Sequence, residues 1–311
     1  MGSLKGRDLL KLSDLNTDEV LELLDISAQL KAGKLNPRPI VKGHAPVLGL
    51  LFYKASTRTR VSFSTAMYHL GGQVLDLPLN ATQVSRGEPI ADTARVLDRY
   101  LDILAIRTFE QSDLETFANE MEIPVINALT DLEHPCQILA DLQTIQETFS
   151  TLSGLTLTYV GDGNNVAHSL MIGCALVGMN VRIATPADYK PDSSIVELTQ
   201  KIAAGKSEVI LTEDPIAATK DTNVIYTDVW ASMGQEDLAQ SRIPIFQSYQ
   251  VNDELLSYAE KDAIVLHCLP AHRGEEITHK AIEGKQSKVW DQAENRMHAQ
   301  KALMASLLGA V

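Results

Sequence analysis

Two short stretches in the first half of the chain combine residue types that bind anions and polarise carbonyl groups. Ser56-Thr57-Arg58-Thr59-Arg60 brings hydroxyls, guanidinium groups and backbone N–H groups to the start of a predicted helix, where the helix dipole favours a phosphate. His134-Pro135-Cys136-Gln137 also begins a predicted helix, and its imidazole and amide could orient a carbonyl and its attached NH₂. Taken alone, each stretch is also explained by an ordinary helix cap, and that is the simpler interpretation of it.

Two further stretches in the second half place polar side chains directly after predicted strands. Asp228, in Asp228-Val229-Trp230-Ala231-Ser232-Met233-Gly234, could pair with an ammonium group, and Ser232 could bind a carboxylate or an amine. Cys268, in His267-Cys268-Leu269-Pro270, could lie beside a reacting nitrogen. The alternative is that Met233 and Leu269 are packing residues and that Cys268 is a small buried hydrophobe.

The turn Gly161-Asp162-Gly163-Asn164-Asn165-Val166 invites comparison with a dinucleotide-binding loop. The third glycine position is Val166, and the next predicted strand ends in Ala184-Thr185-Pro186 without the acidic residue that would bind a ribose. The turn is therefore a weak nucleotide signal. The alternative is a tight turn whose asparagines satisfy backbone groups.

The elements that must position these residues alternate between short apolar runs and longer amphipathic ones, which predicts α/β domains with parallel sheets flanked by helices. Val47–Tyr53 is a predicted strand, and a long helix begins at Pro135. A second strand series begins at Leu155, so we place a domain boundary near residue 150, giving domains 1–150 and 151–311. The last amphipathic run, about 293–308, is expected to pack back on the first domain.

Composition excludes several classes of function. Among 311 residues the formal net charge is −13, which argues against a nucleic acid as the main partner. The three cysteines form no C-x-x-C pair, so the sequence supports neither a disulfide framework nor a cysteine-rich metal site. The charged N-terminal residues and the lack of a long apolar run predict a cytoplasmic protein without a membrane role.

Together these motifs resemble the carbamoyltransferase family. Ser56-Thr57-Arg58-Thr59-Arg60 and His134-Pro135-Cys136-Gln137 are similar to its carbamoyl phosphate signatures, which the aspartate and ornithine enzymes share. Asn165, Asp228, Ser232-Met233-Gly234 and His267-Cys268-Leu269-Pro270 resemble the ornithine branch. The resemblance covers most of the chain, and its motifs occur in the expected order.

The resemblance implies two α/β domains with the active site in the cleft between them, a trimeric catalytic unit and no metal or other cofactor. It implies Cys268, Arg107 and His134 as catalytic residues, and Asn165, Asp228, Ser232 and Met233 as ornithine-binding residues. The residues implied for carbamoyl phosphate are Ser56, Thr57, Arg58, Thr59, Gln83, Arg107, His134, Gln137, Cys268, Leu269 and Arg296. Gln83 lies in a loop, Asn80 to Glu88, that resembles one acting across the interface with a neighbouring subunit.

The implied reaction transfers the carbamoyl group of carbamoyl phosphate to the δ-amine of L-ornithine, giving L-citrulline and phosphate in arginine biosynthesis. Three alternatives stay open. A related transferase could use another amine, such as putrescine or an acylated ornithine. A non-catalytic amino-acid or anion sensor would not need both an oxyanion-polarising set and an amine-side set. A nicotinamide oxidoreductase fits the alternation of strands and helices but lacks the fingerprint.

Overall fold

The computed structural model describes residues 4–54, 56–231 and 239–311, and they divide into two compact units. Unit 1 comprises Met1–Ala140 and Asn295–Val311, and unit 2 comprises Asp141–Glu294. Both units alternate strands with helices, as the apolar periodicity predicts. No helix in the described residues is both long and apolar enough to span a bilayer.

Unit 1 is built on a four-stranded parallel sheet with the strand order β2-β1-β3-β4. Its elements, in chain order, are α1 (Thr17–Lys31), β1 (Val47–Phe52), α2 (Thr57–His69), β2 (Gln73–Pro78), α3 (Ile90–Leu97), β3 (Ile103–Arg107), α4 (Gln111–Glu120), β4 (Val125–Leu129) and α5 (Pro135–Phe149). The chain moves from β1 to β2 on one side and then to β3 on the other side of β1. The strand order thus reverses at β1 and β3, and the carboxyl ends of two such strands form the crevice in which α/β proteins bind ligands.

Unit 2 repeats this arrangement with a five-stranded parallel sheet of order β7-β6-β5-β8-β9. Its elements are β5 (Thr156–Val160), α6 (Asn165–Val177), β6 (Asn180–Ala184), α7 (Ser193–Ala203), β7 (Val209–Thr212), α8 (Pro215–Thr219), β8 (Val224–Thr227), α9 (Ala239–Phe246), α10 (Asp253–Leu256), β9 (Ile264–His267) and α11 (His279–Glu283). The last helix, α12 (Val289–Leu307), begins in unit 2 and ends in unit 1. The order reverses between β5 and β8. The predicted α/β fold with parallel sheets flanked by helices is confirmed.

Each sheet is covered by its own apolar core. In unit 1, Leu51, Ile106 and Val125 pack with Phe117 of α4 in one buried cluster. In unit 2, Val160, Ile225 and Val265 pack with the aromatic side chains of Trp230 and Phe246, whose rings are stacked 5.8 Å apart. Because strands buried on both faces carry near-continuous apolar runs, these segments were recognisable from sequence.

The helices that follow β1 and β5 begin at polar caps. Ser56 Oγ accepts a hydrogen bond from Thr59 N at the start of α2, and Asn164 Oδ1 accepts from Val166 N and Ala167 N at the start of α6. These bonds satisfy N–H groups that have no partner within the helix. They also fix where the first turn of each helix begins after its strand.

The division between the two compact units falls within α5, between Ala140 and Asp141, and the domain boundary near residue 150 stays a prediction. A continuous helix carries no turn residue at the point where its contacts change, so the sequence offers no signal there. The second long helix, α12, begins at Val289, earlier than the predicted 293, and Asn295–Val311 belongs to unit 1. Leu307 O accepts a hydrogen bond from Gly6 N in that unit. The interdomain cleft stays a prediction.

Candidate active-site residues

In unit 1, a buried guanidinium group joins the first turns of α2 and α5. Arg296, on α12, donates from Nη1 to Gln137 Oε1 at 2.6 Å and from Nη2 to Thr59 Oγ1 at 3.2 Å. Thr59 Oγ1 also accepts from Ser56 Oγ at 3.0 Å. Thr59, Gln137 and Arg296 are all at least 95% buried. Three separated parts of the sequence thus meet at one polar cluster.

The cluster lies in a positive electrostatic environment. His134 immediately precedes α5, and its pKa is held well below 6.5, first by burial and then by the charges of Arg296 and Arg107. Arg107 is the last residue of β3, at the same reversal of strand order as Ser56. Two helix N-termini and two guanidinium groups therefore surround a neutral imidazole, an arrangement suited to an anion with a carbonyl group.

Other predicted residues of unit 1 lie around this cluster or away from its described contacts. Thr57 and Arg58 are exposed on the first turn of α2. Gln83 is exposed between two short 3₁₀ turns, and its backbone oxygen accepts hydrogen bonds from Arg86 N and Glu88 N. No described contact joins Gln83 to Thr59, His134 or Arg296. Its predicted role across a subunit interface stays a prediction.

In unit 2, a buried carboxylate is held by three neutral donors. Asp228 Oδ1 accepts from Val229 N at 2.8 Å and from Cys268 Sγ at 2.9 Å, while Oδ2 accepts from Asn164 Nδ2 at 2.9 Å. Asp228 is 6% exposed and follows β8. Among the residues that the structure describes, no lysine or arginine forms an ion pair with it. A buried carboxylate with this surrounding favours a cationic ligand.

The loop that carries Cys268 is fixed by the side chain before it. His267 Nδ1 accepts from Leu269 N at 2.8 Å, and His267 Nε2 lies 3.0 Å from Glu276 Oε1 in a fully buried pair. Leu269 has a φ of 60° and precedes a cis peptide bond to Pro270. The ring of His267 therefore holds the backbone beside Cys268 in a conformation that residues other than glycine rarely adopt.

Asp228, His267 and Cys268 lie close enough together to suggest a metal site, since their ligand atoms all fall within 4.8 Å of one another. Both ring nitrogens of His267 are already engaged, one by Leu269 N and the other with Glu276. A metal would have to displace one of these hydrogen bonds to gain a third ligand. The arrangement fits the hydrogen-bonded loop better than it fits an ion.

The turn after β5 serves a different purpose from a dinucleotide loop. A Cβ on Gly163 would lie 2.3 Å from Pro191 N and 2.6 Å from Tyr189 O. Gly163 N also donates to Tyr189 O at 2.8 Å. The chain after β6 thus occupies the space next to this glycine that a cofactor phosphate would need, so the glycine serves contact within the chain.

The structure adds Asn164 to the predicted residues and leaves two of them undescribed. Asn164 both caps α6 and binds Asp228, so the interpretation of this turn as backbone-satisfying asparagines is correct for Asn164 but incomplete. Asn165 is half-buried in the first turn of α6. Ser232 and Met233 lie outside the described residues. The one signal for Asn164 in the sequence is its residue type, because asparagine often caps the start of a helix.

We expect the neutral state of His134 to make stability depend on pH. Because its pKa is lowered on folding, the unfolded chain binds a proton below about pH 6.5 that the folded chain does not, so acidification lowers the free energy of unfolding by up to about 1.4 kcal/mol per pH unit. In urea unfolding at pH 5 to 7.5, the free energy of unfolding should fall less steeply on acidification for His134→Asn than for the wild type. Equal slopes below pH 6.5 would contradict the buried neutral imidazole.

Comparisons with known proteins identify the family. The carbamoyl-P binding domain of aspartate/ornithine carbamoyltransferase matches residues 7–147, and the Asp/Orn binding domain of the same family matches residues 153–307. The ornithine carbamoyltransferase of Nostoc punctiforme is 69% identical over 310 residues, covering 100% of both chains.

Solved structures agree with the sequence match. The ornithine carbamoyltransferase from Pyrococcus furiosus has 48% identity and a TM-score of 0.95, with 100% of both chains covered. That from Gloeobacter violaceus has 52% identity and a TM-score of 0.88, and the match covers 98% of this chain and 100% of the other. With family domains matched in both halves and relatives alike over their full lengths, the chain belongs to the aspartate/ornithine carbamoyltransferase family.

Proposed function

We propose that the chain transfers the carbamoyl group of carbamoyl phosphate to the δ-amine of L-ornithine, producing L-citrulline and phosphate. The observation that carries the proposal is a pair of opposite environments at the carboxyl ends of two parallel sheets. One is a neutral imidazole surrounded by guanidinium groups, and the other is a buried carboxylate bonded to a thiol. The names of the most similar relatives support the same assignment.

In this proposal, the first turn of α2 and Arg58 bind the phosphate, where the helix N–H groups and a positive side chain complement its charge. Thr59 Oγ1 accepts hydrogen bonds from Ser56 and Arg296, and we assign its hydroxyl as a donor to the carbamoyl phosphate. Gln137 Oε1 accepts from Arg296 at 2.6 Å, and we assign the Gln137 amide to the carbamoyl NH₂.

The carbonyl oxygen gains negative charge as the amine attacks. Arg107 supplies a positive charge and His134 supplies an N–H donor, since its lowered pKa keeps the imidazole neutral. Donors that are fixed before the reaction stabilise such an oxyanion without further reorganisation. Phosphate then leaves as the carbon–oxygen bond breaks and the carbon–nitrogen bond remains.

The amine must be neutral when it attacks, although a free alkylammonium has a pKa of about 10.4. Asp228 binds and orients the cationic substrate, with Asn165, Ser232 and Met233 as the further ornithine contacts that the resemblance implies. The thiol of Cys268 donates to Asp228 at 2.9 Å, which gives the amine proton a route to this pair. The departing phosphate is the competing acceptor, and carbamoyl phosphate contacts at Cys268 and Leu269 belong to the same proposal.

The assembly that we propose is a trimer or a multiple of trimers. Exposed apolar side chains support a contact surface on unit 1: Val61 and Tyr68 on α2 are 56% and 59% exposed, and Leu75 on the edge strand β2 is 48% exposed. Gln83 follows β2 and would complete the carbamoyl phosphate site of a neighbour. The assignment to arginine biosynthesis rests on the family resemblance, and the cytoplasmic location rests on the charged N-terminal residues and the lack of a long apolar run.

The first test is the reaction itself. Purified protein should form citrulline and phosphate from carbamoyl phosphate and L-ornithine, with putrescine and N-acetylornithine as parallel amine substrates. We expect turnover with L-ornithine to exceed turnover with either alternative, because relatives that resemble this chain over its full length are ornithine carbamoyltransferases. Faster product formation from another amine would show that this amine, and not ornithine, is the substrate. No product from any amine would favour a non-catalytic sensor.

Substitutions on the amine side should separate binding from proton loss. Asp228→Asn removes a charge-assisted contact of roughly 1.5–3 kcal/mol, so KM for ornithine should rise about ten- to hundredfold. Cys268→Ser should instead lower kcat and change its pH profile, with KM for carbamoyl phosphate nearly unaltered. Unchanged turnover and pH dependence in Cys268→Ser would make the leaving phosphate the better proton acceptor.

The assembly can be measured by multi-angle light scattering over the concentrations used for assays. The expected mass is a multiple of three 34.0 kDa chains. Gln83→Ala should keep that mass and weaken the binding of carbamoyl phosphate, because the Gln83 side chain is exposed within its own chain. A fully active monomer would rule out a required contact from a neighbouring subunit.

A further inference from the structure

Arg242 is a buried cation of unit 2 that none of the assigned roles uses. It lies on α9 and is 8% exposed. Its Nη1 donates to Asp162 Oδ2 at 2.7 Å and to Trp230 O at 2.5 Å. The guanidinium carbon lies 5.0 Å from the ring centroid of Tyr189, a cation–π distance. A charge removed from water to this extent is stable only with such partners.

The partners of Arg242 come from the loops that follow three parallel strands. Asp162 follows β5, Tyr189 follows β6 and Trp230 follows β8. A single guanidinium group therefore joins the carboxyl ends of β5, β6 and β8, including both sides of the point where the strand order reverses. Its contact with Trp230 joins two residues that are twelve positions apart in the chain.

Two of these contacts lie next to the amine-side pair. Asp162 is two residues before Asn164, and Trp230 is two residues after Asp228. Asn164 and Asp228 are themselves joined at 2.9 Å. The turn after β5 and the loop after β8 are thus bonded twice, once directly and once through Arg242. Loss of Arg242 would remove one of these two links, and the Asn164–Asp228 bond would remain.

The charges of the neighbouring groups distinguish Asp162 from Asp228. Asp162 is 9% exposed, and burial raises its pKa while the charge of Arg242 opposes that rise. The charge of Asp228 also raises the pKa of Asp162, which places the two carboxylates within each other's field. Arg242 bonds Asp162 and not Asp228, so it compensates one carboxylate and leaves the other for a substrate cation.

We propose that Arg242 is a positioning residue for the amine substrate. By holding Asp162 and the Trp230 carbonyl together, it sets the position of the Asp228 carboxylate without touching the substrate. The inference rests on the proposed function, because it assumes that Asp228 binds ornithine. It predicts that changes at Arg242 alter ornithine affinity and leave carbamoyl phosphate affinity unaltered.

The test compares steady-state kinetics of wild type, Arg242→Met and a matched control. Arg182→Met is the control. Arg182 is another arginine of unit 2 that joins separate parts of the chain, and it donates to the backbone carbonyls of Ala218 and Lys220 near the amino end of β8. Displacement of Asp228 weakens the contact whose loss in Asp228→Asn raises KM for ornithine about ten- to hundredfold. We therefore expect KM for ornithine to rise about ten- to hundredfold in Arg242→Met and less than about twofold in Arg182→Met. KM for carbamoyl phosphate should stay within about twofold in both.

A second variant keeps the test decisive if Arg242→Met does not fold. Asp162→Asn should raise KM for ornithine in the same direction, because it removes the charge that Arg242 binds. Where both singles fold, the Asp162→Asn/Arg242→Met double variant should be no worse than Arg242→Met, since the two residues act through one contact.

The outcomes separate this inference from the proposed function. Absence of citrulline from the wild-type enzyme defeats the function before any variant is compared. With an active wild type, an unchanged KM for ornithine in Arg242→Met, or equal increases in KM for both substrates, overturns the positioning role alone. An effect of the same size in Arg182→Met would also overturn it.

Discussion

The reversal of strand order beside the first strand of each sheet determines where chemistry can occur in this chain. At β1 and β3, and again at β5 and β8, the loops leave the sheet in opposite directions and open space above the strand ends. The helices after β1 and β5 begin in that space, with Ser56 and Asn164 as their caps. Polar side chains therefore gather there while both faces of each sheet stay apolar.

Within that constraint, unit 1 holds the buried guanidinium group of Arg296 and unit 2 holds the buried carboxylate of Asp228. Arg296 donates to a hydroxyl and an amide oxygen, and Asp228 accepts from an amide, a thiol and a backbone N–H. Neutral hydrogen bonds only partly offset the desolvation of a charge. In the proposed function, a ligand of opposite charge therefore stabilises each site, an anion at Arg296 and a cation at Asp228.

The sequence was most informative where a residue's role depends on its position after a strand. Asp228 and Cys268 follow predicted strands, so their place at the sheet edge followed from the apolar pattern and the chain direction, whereas Arg107 was implied by the family resemblance alone. Asn164 and Arg242 could not be assigned in this way, because their importance comes from contacts with residues distant in sequence. β7 went unpredicted because Val209–Thr212 is short and only partly buried. The division of the units within α5 was hidden by the uniform periodicity of that helix.

Unit 1 is discontinuous in sequence, since Asn295–Val311 completes a body that begins at the other end of the chain. This has a consequence for folding on the ribosome. At roughly 5–20 residues per second, synthesis of Asp141–Glu294 separates the two parts of unit 1 by about 8 to 30 seconds. Unit 2 is complete in the nascent chain while Thr59 and Gln137 still lack Arg296. The usual order of synthesis, in which the N-terminal body is finished first, is therefore inverted, and the last segment of unit 1 to be made supplies the Arg296 that joins Thr59 and Gln137.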